Sequence, residues 1–347
     1  MRAAGEPGAC GRPGCLKLGG NAEDGPALAE QAGMIVTVTL NPALRVRYDV
    51  PQVRYGAHNE VSEVSYLAAG RGLVVARILH AFGHEVVAAG LAGGAAGELI
   101  KAALARSGVA TRFTAIGRES RRVLEVSDRS GALPTAYGEP APYITTEELG
   151  RLAADYRRLM TGAIAAVLSG SLPAGMPPET YGTLASYAAD VGVPVVLDAD
   201  GPASWHGASR RPALVITAAP PPADPGALVA GGVGAVAVVS GHAVQVVTGD
   251  AEWLAKLDGP HQLARSRDAI VAGFVPGIAL GWSWPDILRH AVALAASEAS
   301  WSLDEADLAA YERLLPAVVI DRPRQRHRPP PRPSRQSRDQ LRHRPGG

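Results

Sequence analysis

Residues 265–274, RSRDAIVAGF, contain the best candidate for a catalytic base in this sequence. Asp268 stands at the start of an apolar helical pattern, directly behind Arg265 and Arg267. An aspartate in this position is a common helix cap, which is a purely structural role. The amino end of a helix also attracts anions, so a phosphate could bind there while the carboxylate accepts a proton from a hydroxyl. The segment alone leaves both roles open.

Two glycine-containing loops offer further places where an anion could bind. In residues 68–79, AAGRGLVVARIL, Gly70 and Gly72 flank Arg71 at the start of another helical pattern. Glycines let a ligand approach the backbone closely, and a guanidinium suits phosphate; the alternative is a strand-to-helix turn with an exposed arginine. In residues 168–175, LSGSLPAG, small residues from Ser169 onward leave backbone groups open to a ligand, although an ordinary loop would look the same.

The elements that position these loops follow an α/β pattern. Continuous apolar strands alternate with helical segments, which predicts a mostly parallel sheet covered by helices on both faces. Ligands of such sheets bind at the carboxyl ends of the strands, where these loops are expected. The predicted strands are 34–40, 85–91, 164–169, 193–198, 213–217 and 235–240. The predicted helices are 72–82, 97–107, 146–159, 178–191, 225–231, 268–280 and 284–300.

Two regions, within about 45–67 and 111–137, break this alternation. Apolar and polar residues alternate there, and turn signals such as Asp128-Arg129-Ser130-Gly131 interrupt them. This pattern is typical of half-exposed strands. We therefore predict antiparallel strands outside the main sheet, forming a small lid.

The distribution of apolar residues predicts the cellular location and the ends of the folded domain. No apolar run approaches the ~20 residues of a membrane span, and the amino terminus lacks the apolar segment of a signal peptide, so no membrane partner and a cytoplasmic location are expected. Residues 1–33 are predicted to be a disordered leader and 34–316 the folded domain. Cys10 and Cys15, the only cysteines, lie in the leader. They could form a metal or redox site, but incidental thiols are the simpler interpretation because no other Cys or His cluster is near.

Residues 317–347 are predicted to be a disordered Arg/Pro-rich tail. From position 321 onward there are nine arginines and two aspartates, although the whole chain has a net charge of only +1. Such a segment could contact nucleic acid or another acidic surface. We expect a solvated tail and no nucleic-acid partner, because the segment has no interleaved aromatic residues and few apolar ones.

The loops become more informative when they are taken together and in order. Asn41-Pro42-Ala43 matches N-P-A-x-D, Ala69-Gly70-Arg71-Gly72 matches G-G-K-G, and Ser169-Gly170-Ser171-Leu172-Pro173 with Gly175 matches S-G-S-L-P-x-G. Asp268 with Ala272-Gly273-Phe274 matches G-A-G-D-x-x-x-A-G-F. From Met34 to Ser300 the chain thus resembles the PfkB branch of the ribokinase-like sugar kinases, in particular 1-phosphofructokinases and tagatose-6-phosphate kinases.

The resemblance implies a ribokinase-like three-layer sandwich with a small β lid, which in relatives can pair across a homodimer. It also implies transfer of the γ-phosphoryl group of ATP to a sugar or sugar-phosphate hydroxyl, with ATP and Mg²⁺ as the nucleotide and metal and no tightly bound cofactor. Asp268 would be the base. The implied substrate residues are Asn41, Gly70, Arg71, Gly72, Arg121 and Ser169; the anion-hole positions are Arg265, Ser266 and Arg267; the nucleotide residues are Ser240, Gly241 and Gly273. Arg121 could equally be a solvated lid residue.

Several positions depart from the family pattern, and they cluster around the expected chemistry. Arg45 replaces the aspartate of N-P-A-x-D, and Val74 replaces the asparagine that follows G-K-G-x. VITAAPPPADP replaces K-P-N-x-x-E, so no protein metal ligand is predicted, and the nucleotide loop is shortened to Ser240-Gly241-His242-Ala243. Arginines replace the anion-hole glycines before Asp268, and Arg267 could pair with Asp268 and lower its basicity.

These departures leave two hypotheses for the chemistry. The first is an ATP-dependent sugar or sugar-phosphate kinase with reduced turnover. The second is a catalytically degenerate member, a pseudoenzyme, that binds a sugar phosphate or another anion as a regulator.

Overall fold

The chain folds into an α/β sandwich with a large sheet between helices and a second, smaller sheet. The computed structural model describes residues 33–129, 134–257, 263, 267–297, 308–321 and 323–325. The large sheet contains the strands β1 (Met34–Thr39), β4 (Val86–Ala92), β5 (Ala110–Ala115), β8 (Ala163–Ser169), β9 (Val195–Asp198), β10 (Leu214–Ala218), β11 (Ala235–Val239), β12 (Ala243–Val247), β13 (Ala251–Leu257), β14 (Val318–Ile320) and β15 (Arg324–Gln325).

The large sheet is parallel through its centre and antiparallel at one end. Its strand order is β14-β13-β12-β11-β10-β9-β8-β1-β4-β5, and β15 pairs with β13. The strands between β5 and β11 in this order run parallel, whereas β12, β13 and β14 pair antiparallel with their neighbours. The six predicted strands are confirmed. The antiparallel extension was not predicted.

Helices cover both faces of this sheet, and the buried residues form two core clusters. They are α1 (Arg71–Ala81), α2 (Gly94–Arg106), α3 (Thr146–Met160), α4 (Thr180–Ala189), α5 (Gly201–Ala208), α6 (Pro225–Ala230), α7 (Arg267–Leu280), α8 (Trp284–Ser297) and α9 (Leu308–Leu314). One core cluster includes Leu73 of α1, Ile100 of α2 and Phe274 of α7, and the other includes Tyr156 of α3 and Leu184 of α4. The seven predicted helices are present; α5 and α9 were not predicted.

The small sheet is the predicted lid, with two corrections. It consists of β2 (Ala43–Val50), β3 (Glu63–Ala69), β6 (Arg121–Asp128) and β7 (Thr135–Gly138), in the order β3-β2-β6-β7. The pair β2–β6 is parallel, because the chain crosses through α1, β4, α2 and β5 before it returns to the lid. Residues 111–115 belong to β5 of the large sheet. This strand alternates because it is an edge strand with an exposed face.

The carboxyl-terminal boundary of the folded domain lies beyond the predicted residue 316. β14 pairs with β13 through Ile320 and Ala255, and β15 pairs with β13 through Gln325 and Ala251. The predicted leader up to residue 32, with Cys10 and Cys15, and the tail from residue 326 lie outside the described residues. Within the described residues, no helix combines the length and the apolar character needed to cross a membrane.

Candidate active site

A buried aspartate marks the ligand edge of the large sheet. Asp198 is the last residue of β9 and is fully buried. It lies beside Ser169, the last residue of the parallel neighbour β8, and the Ser169 hydroxyl donates a hydrogen bond of 2.9 Å to its carboxylate. A buried carboxylate is costly unless it is paired. The arginines around it therefore decide whether this site is stable.

The first arginine, Arg71, is placed by two glycines. Gly70 has φ 141°, and a Cβ on it would lie 2.8 Å from Thr39 Cγ2, while a Cβ on Gly72 would clash with the Thr39 side chain. Only glycines allow α1 to start this close to the end of β1. The Arg71 guanidinium, at the first position of α1, lies 3.4 Å from Asp198 Oδ1.

The second arginine, Arg267, is the first residue of α7 and reaches the same carboxylate. Its guanidinium also donates to the carbonyl oxygen of Ile216 in β10 at 3.1 Å, and its side chain is only 17% exposed. Arg267 thus occupies the carboxyl ends of β9 and β10. The ion pairs described for Arg267 are with Asp198 and Asp200.

Asp200 completes a cluster of four charged side chains. Its carboxylate lies 2.8 Å from Arg71 Nη2 and 3.7 Å from Arg267 Nη1, and its side chain is 65% exposed. We call Arg71, Asp198, Asp200 and Arg267 the arginine–aspartate cluster. Its formal charge is zero, with one carboxylate buried and the other facing solvent.

The predicted base lies directly beside this cluster. Asp268 follows Arg267 in the first turn of α7 and is half-buried. Asp268 therefore follows, in the chain, the arginine whose guanidinium reaches the carboxyl ends of β9 and β10. Arg265 and Ser266, the other predicted anion-hole positions, lie outside the described residues.

Gly170 and Tyr181 fix the backbone conformation of the loop after β8. Gly170 has φ 102°, and the Tyr181 hydroxyl donates to the carbonyl oxygens of Ser169 and Gly170 at 3.1 and 3.2 Å. Burial raises the pKa of Tyr181, so the phenol remains a proton donor. Asn41, after β1, donates to the Ser171 hydroxyl at 3.1 Å, and its buried Oδ1 has no hydrogen-bond partner. The two predicted substrate loops therefore meet.

Two lid arginines differ in their surroundings. Arg121 starts β6, pairs in register with Ala43 and buries its Nε without a hydrogen-bond partner. This places the start of β6 next to the strand that follows the Asn41 loop. Arg45, at the position of the family aspartate, is 45% exposed and lies 3.8 Å from Glu125.

The predicted nucleotide residues lie in the turn between β11 and β12 and inside α7. The Ser240 hydroxyl is used inside a tight turn, where it donates to the Ala243 carbonyl oxygen at 2.8 Å. The Gly241 carbonyl oxygen accepts from the Leu263 amide at 2.9 Å. Gly273 is buried in α7 against α8, where any side chain would clash with Ala291. Helix packing alone accounts for this glycine.

The part of the chain that the structure describes contains no cluster of side chains that could hold a divalent metal by itself. No group of three or more His, Cys, Asp or Glu side chains there is arranged to hold a metal ion. Both oxygens of Asp198 are already used, one by arginines and one by Ser169. The described side chains therefore form no all-protein site for Mg²⁺, an ion that one or two carboxylates and the phosphates of a nucleotide usually hold together.

Asp198 and Asp200 were not predicted from the sequence, although a signal existed. The segment VVLDAD places two acids at the carboxyl end of an apolar strand, where ligands of parallel sheets bind. Their partners could not be read from it, since Arg71 is 127 residues from Asp198.

A comparison with protein-family models identifies the family of this chain. The model of the pfkB family of carbohydrate kinases matches residues 40–216, just over half of the 347 residues. The chain belongs to this family. The matched region contains Asn41, Arg71, Ser169 and the aspartates of the arginine–aspartate cluster; Asp268 lies beyond it.

Solved structures share the fold of this pfkB-family chain. A protein assigned as a phosphofructokinase from Staphylococcus aureus superposes with a TM-score of 0.73 at 23% identity, covering 85% of this chain and 100% of its own. Phosphofructokinase-2 from Escherichia coli in complex with potassium gives 0.74 at 20% identity, covering 82% and 99%. The complex of that enzyme with fructose-6-phosphate gives 0.72 at 21% identity, with the same coverage. At these identities the similarity establishes the fold.

Proposed function

We propose that this chain transfers the γ-phosphoryl group of ATP to a hydroxyl of a sugar or sugar phosphate, with low turnover. The observation that carries this proposal is the position of Asp268. It lies in the first turn of α7, immediately after an arginine whose guanidinium reaches the carboxyl ends of β9 and β10. A general base at this edge would face a ligand held by the neighbouring loops.

Each of the other site residues has a role in this proposal. Asp268 would accept the proton of the attacking hydroxyl. Arg71 and Arg121 would hold a phosphate group carried by the substrate, since guanidinium groups bind phosphate oxygens well. Asn41 and the loop after β8 would contact sugar hydroxyls; the buried, unpartnered Oδ1 of Asn41 supports such a contact. Phosphoryl transfer depends mainly on this kind of positioning and charge placement.

The low turnover follows from the anion-hole position. A backbone anion hole is preorganised, whereas Arg267 presents a side chain that is already bound to Asp198 and to Ile216. Losing one such preorganised donor costs roughly 100-fold or more in rate. Magnesium would have to be bound by the nucleotide phosphates, because the described side chains supply no ligand set for it.

A coupled assay of ADP release over a panel of sugars and sugar phosphates tests the proposal. We expect slow turnover with at least one sugar phosphate, reduced about 100-fold or more in Asp268→Asn, because general-base catalysis contributes roughly that much. The matched control is Asp286→Asn, which changes the first-turn aspartate of α8 and should retain activity. Folded wild-type protein that releases no ADP with any compound would contradict the proposed transfer.

A second candidate function, binding of a sugar phosphate without transfer, is favoured by one observation. The two arginines of the arginine–aspartate cluster are in place at the ligand edge, whereas the segment 215–225 lacks the asparagine and glutamate that help place metal and phosphates in the family. A ligand that binds the native state raises the melting temperature. Stabilisation by sugar phosphates without any by Mg-ATP, together with no ADP release, would establish binding alone.

We also propose that two copies associate through the lid. By strand register, one lid face carries Val46, Tyr48, Val64, Tyr66, Leu124, Val126 and Tyr137. Val64, Tyr66 and Tyr137 are 44%, 45% and 60% exposed. The opposite face carries the charged residues Arg45, Arg47 and Glu125. Val46 packs against the core of the same chain, so the exposed part of this face is the patch of Val64, Tyr66 and Tyr137. Exposed apolar patches often mark protein interfaces.

A further inference from the structure

The exposed aspartate of the arginine–aspartate cluster contacts both of its guanidinium groups. Asp200 reaches Arg71 Nη2 at 2.8 Å and Arg267 Nη1 at 3.7 Å, so one carboxylate bridges guanidinium groups from two different helices. Arg71 and Arg267 are only 24% and 17% exposed. A phosphate that approaches these two groups from solvent therefore meets the Asp200 carboxylate first.

The position of Asp200 at the start of α5 would allow its carboxylate to cap that helix. Asp200 is the N-cap residue of α5, a position at which aspartate commonly accepts a hydrogen bond from the helix backbone. Here its side chain makes no capping hydrogen bond. The carboxylate is directed to the two arginines instead of to its own helix.

The two aspartates of the cluster differ in how easily a ligand could displace them. Asp198 is fully buried and accepts a hydrogen bond from Ser169 in addition to its arginine contacts, so it is fixed. Asp200 is 65% exposed, and the contacts described for its side chain are to the two arginines. Water can solvate the Asp200 carboxylate when it leaves the arginines, at little cost.

We propose that Asp200 is an internal competitor that sets the affinity of this site for phosphate-bearing anions. It neutralises Arg71 and Arg267 in the empty site, and a bound phosphate takes its place. This inference rests on the second candidate function, the binding of a sugar phosphate at the arginines of the arginine–aspartate cluster. It adds that wild-type affinity is restrained by a residue of the protein itself.

Calorimetric titration of the full chain tests this inference, with fructose 6-phosphate and inorganic phosphate as probes and fructose as the neutral comparison. The test variant is Asp200→Asn, which removes the charge and keeps a residue suited to the N-cap of α5. We expect its Kd for both phosphate probes to fall about tenfold, the effect of removing one charge near a partly exposed site. Raising the ionic strength should shrink this difference, while fructose binding should not change.

Two controls test whether the gain in affinity comes from Asp200 itself and not from the change in net charge. The outcomes also distinguish a failure of this inference from a failure of the proposed function. Asp190→Asn removes the same charge from an exposed residue at the carboxyl-terminal end of α4, and should leave both Kd values unchanged. Arg71→Gln in the Asp200→Asn background should abolish the gain. If wild type binds fructose 6-phosphate and Asp200→Asn binds it equally or more weakly, this inference is wrong and the proposed function stands. If neither folded protein binds either phosphate probe, the proposed function fails as well.

Discussion

A single side chain, Arg267, connects the helix that carries the proposed base to the end of the central sheet. It fills the position where the family pattern has a glycine, and it pairs with a carboxylate that is fully buried. Removing one partner of a buried ion pair leaves an uncompensated charge, which costs about 3–5 kcal/mol. Asp198 keeps Arg71 and Ser169, so the expected cost here is smaller.

We predict that Arg267→Gln lowers the free energy of unfolding by about 2 kcal/mol, because Asp198 loses one of its two cationic partners. Urea unfolding followed by tryptophan fluorescence measures this. Arg289→Gln is the matched control: Arg289 pairs with Asp286 at 3.2 Å, but both side chains are about 40% exposed, so the change should stay below about 0.5 kcal/mol. Equal effects of the two substitutions would show that Arg267 is not an internal partner of the buried carboxylate.

At the scale of elements, α8 and α9 are joined by a buried histidine–tyrosine pair. His290 Nδ1 lies 2.6 Å from the Tyr311 hydroxyl, and the rings of Phe82 and Trp282 pack edge-on against the imidazole. Burial raises the pKa of Tyr311, so its hydroxyl donates and His290 Nδ1 accepts. Burial, with a smaller effect of His84, lowers the pKa of His290 from 6.5 to about 3. The imidazole therefore stays neutral in the folded chain.

This pair predicts a loss of stability in mild acid. Below about pH 6.5 the unfolded chain protonates this histidine, whereas the folded chain does not until about pH 3, so stability falls as the pH decreases through this window. His84, whose pKa is also lowered by burial, acts in the same direction. Between pH 7.5 and 5.5 we expect His290→Gln to lose about 1.4 kcal/mol less than wild type. Urea titrations at the two pH values measure this.

Tyr311→Phe provides the comparison for that experiment. It removes the hydroxyl that His290 accepts from, so it should cost about 1 kcal/mol at both pH values and leave the slope with pH in place. A His290→Gln variant with the wild-type slope would mean that this histidine does not titrate as proposed.

The elements show clearly what the sequence could and could not predict. Long apolar runs predicted β1, β4, β8, β9, β10 and β11, because a strand buried on both faces leaves few other interpretations. The edge strand β5 was assigned to the lid, since half-burial gives the same alternation in either sheet. Asp268, Arg71 and Ser169 were predicted as site residues from motifs. The pairing of Arg267 with Asp198 depends on which strand ends meet, and no local pattern encodes that.

At the scale of the whole molecule, the lid and the central sheet meet at the site. Arg121 of β6 pairs in register with Ala43 of β2, two residues after Asn41, so the position of the lid determines how closely a lid arginine approaches the substrate loops. Anything that fixes the lid should therefore also affect binding. A second copy packed on the apolar lid face is the simplest way to fix it, because Val64, Tyr66 and Tyr137 on that face are exposed in the single chain.

We predict that the protein is a dimer and that Val64→Glu dissociates it. Val64 is 44% exposed on β3, beside Tyr48 across the strand pair, and a carboxylate there would be buried unpaired in the interface. The matched control is Val191→Glu, at a 52% exposed valine between α4 and the amino end of β9, whereas the site lies at the carboxyl end of that strand. Light scattering coupled to size-exclusion chromatography should give a dimer mass for wild type and Val191→Glu and a monomer mass for Val64→Glu. A stable interface needs about 800 Å² from each partner, which a single charge at its centre would disrupt.

Since the lid also carries Arg121, the monomeric variant should bind fructose 6-phosphate more weakly than the control. A monomeric wild type, or a Val64→Glu dimer, would exclude the lid face as the interface.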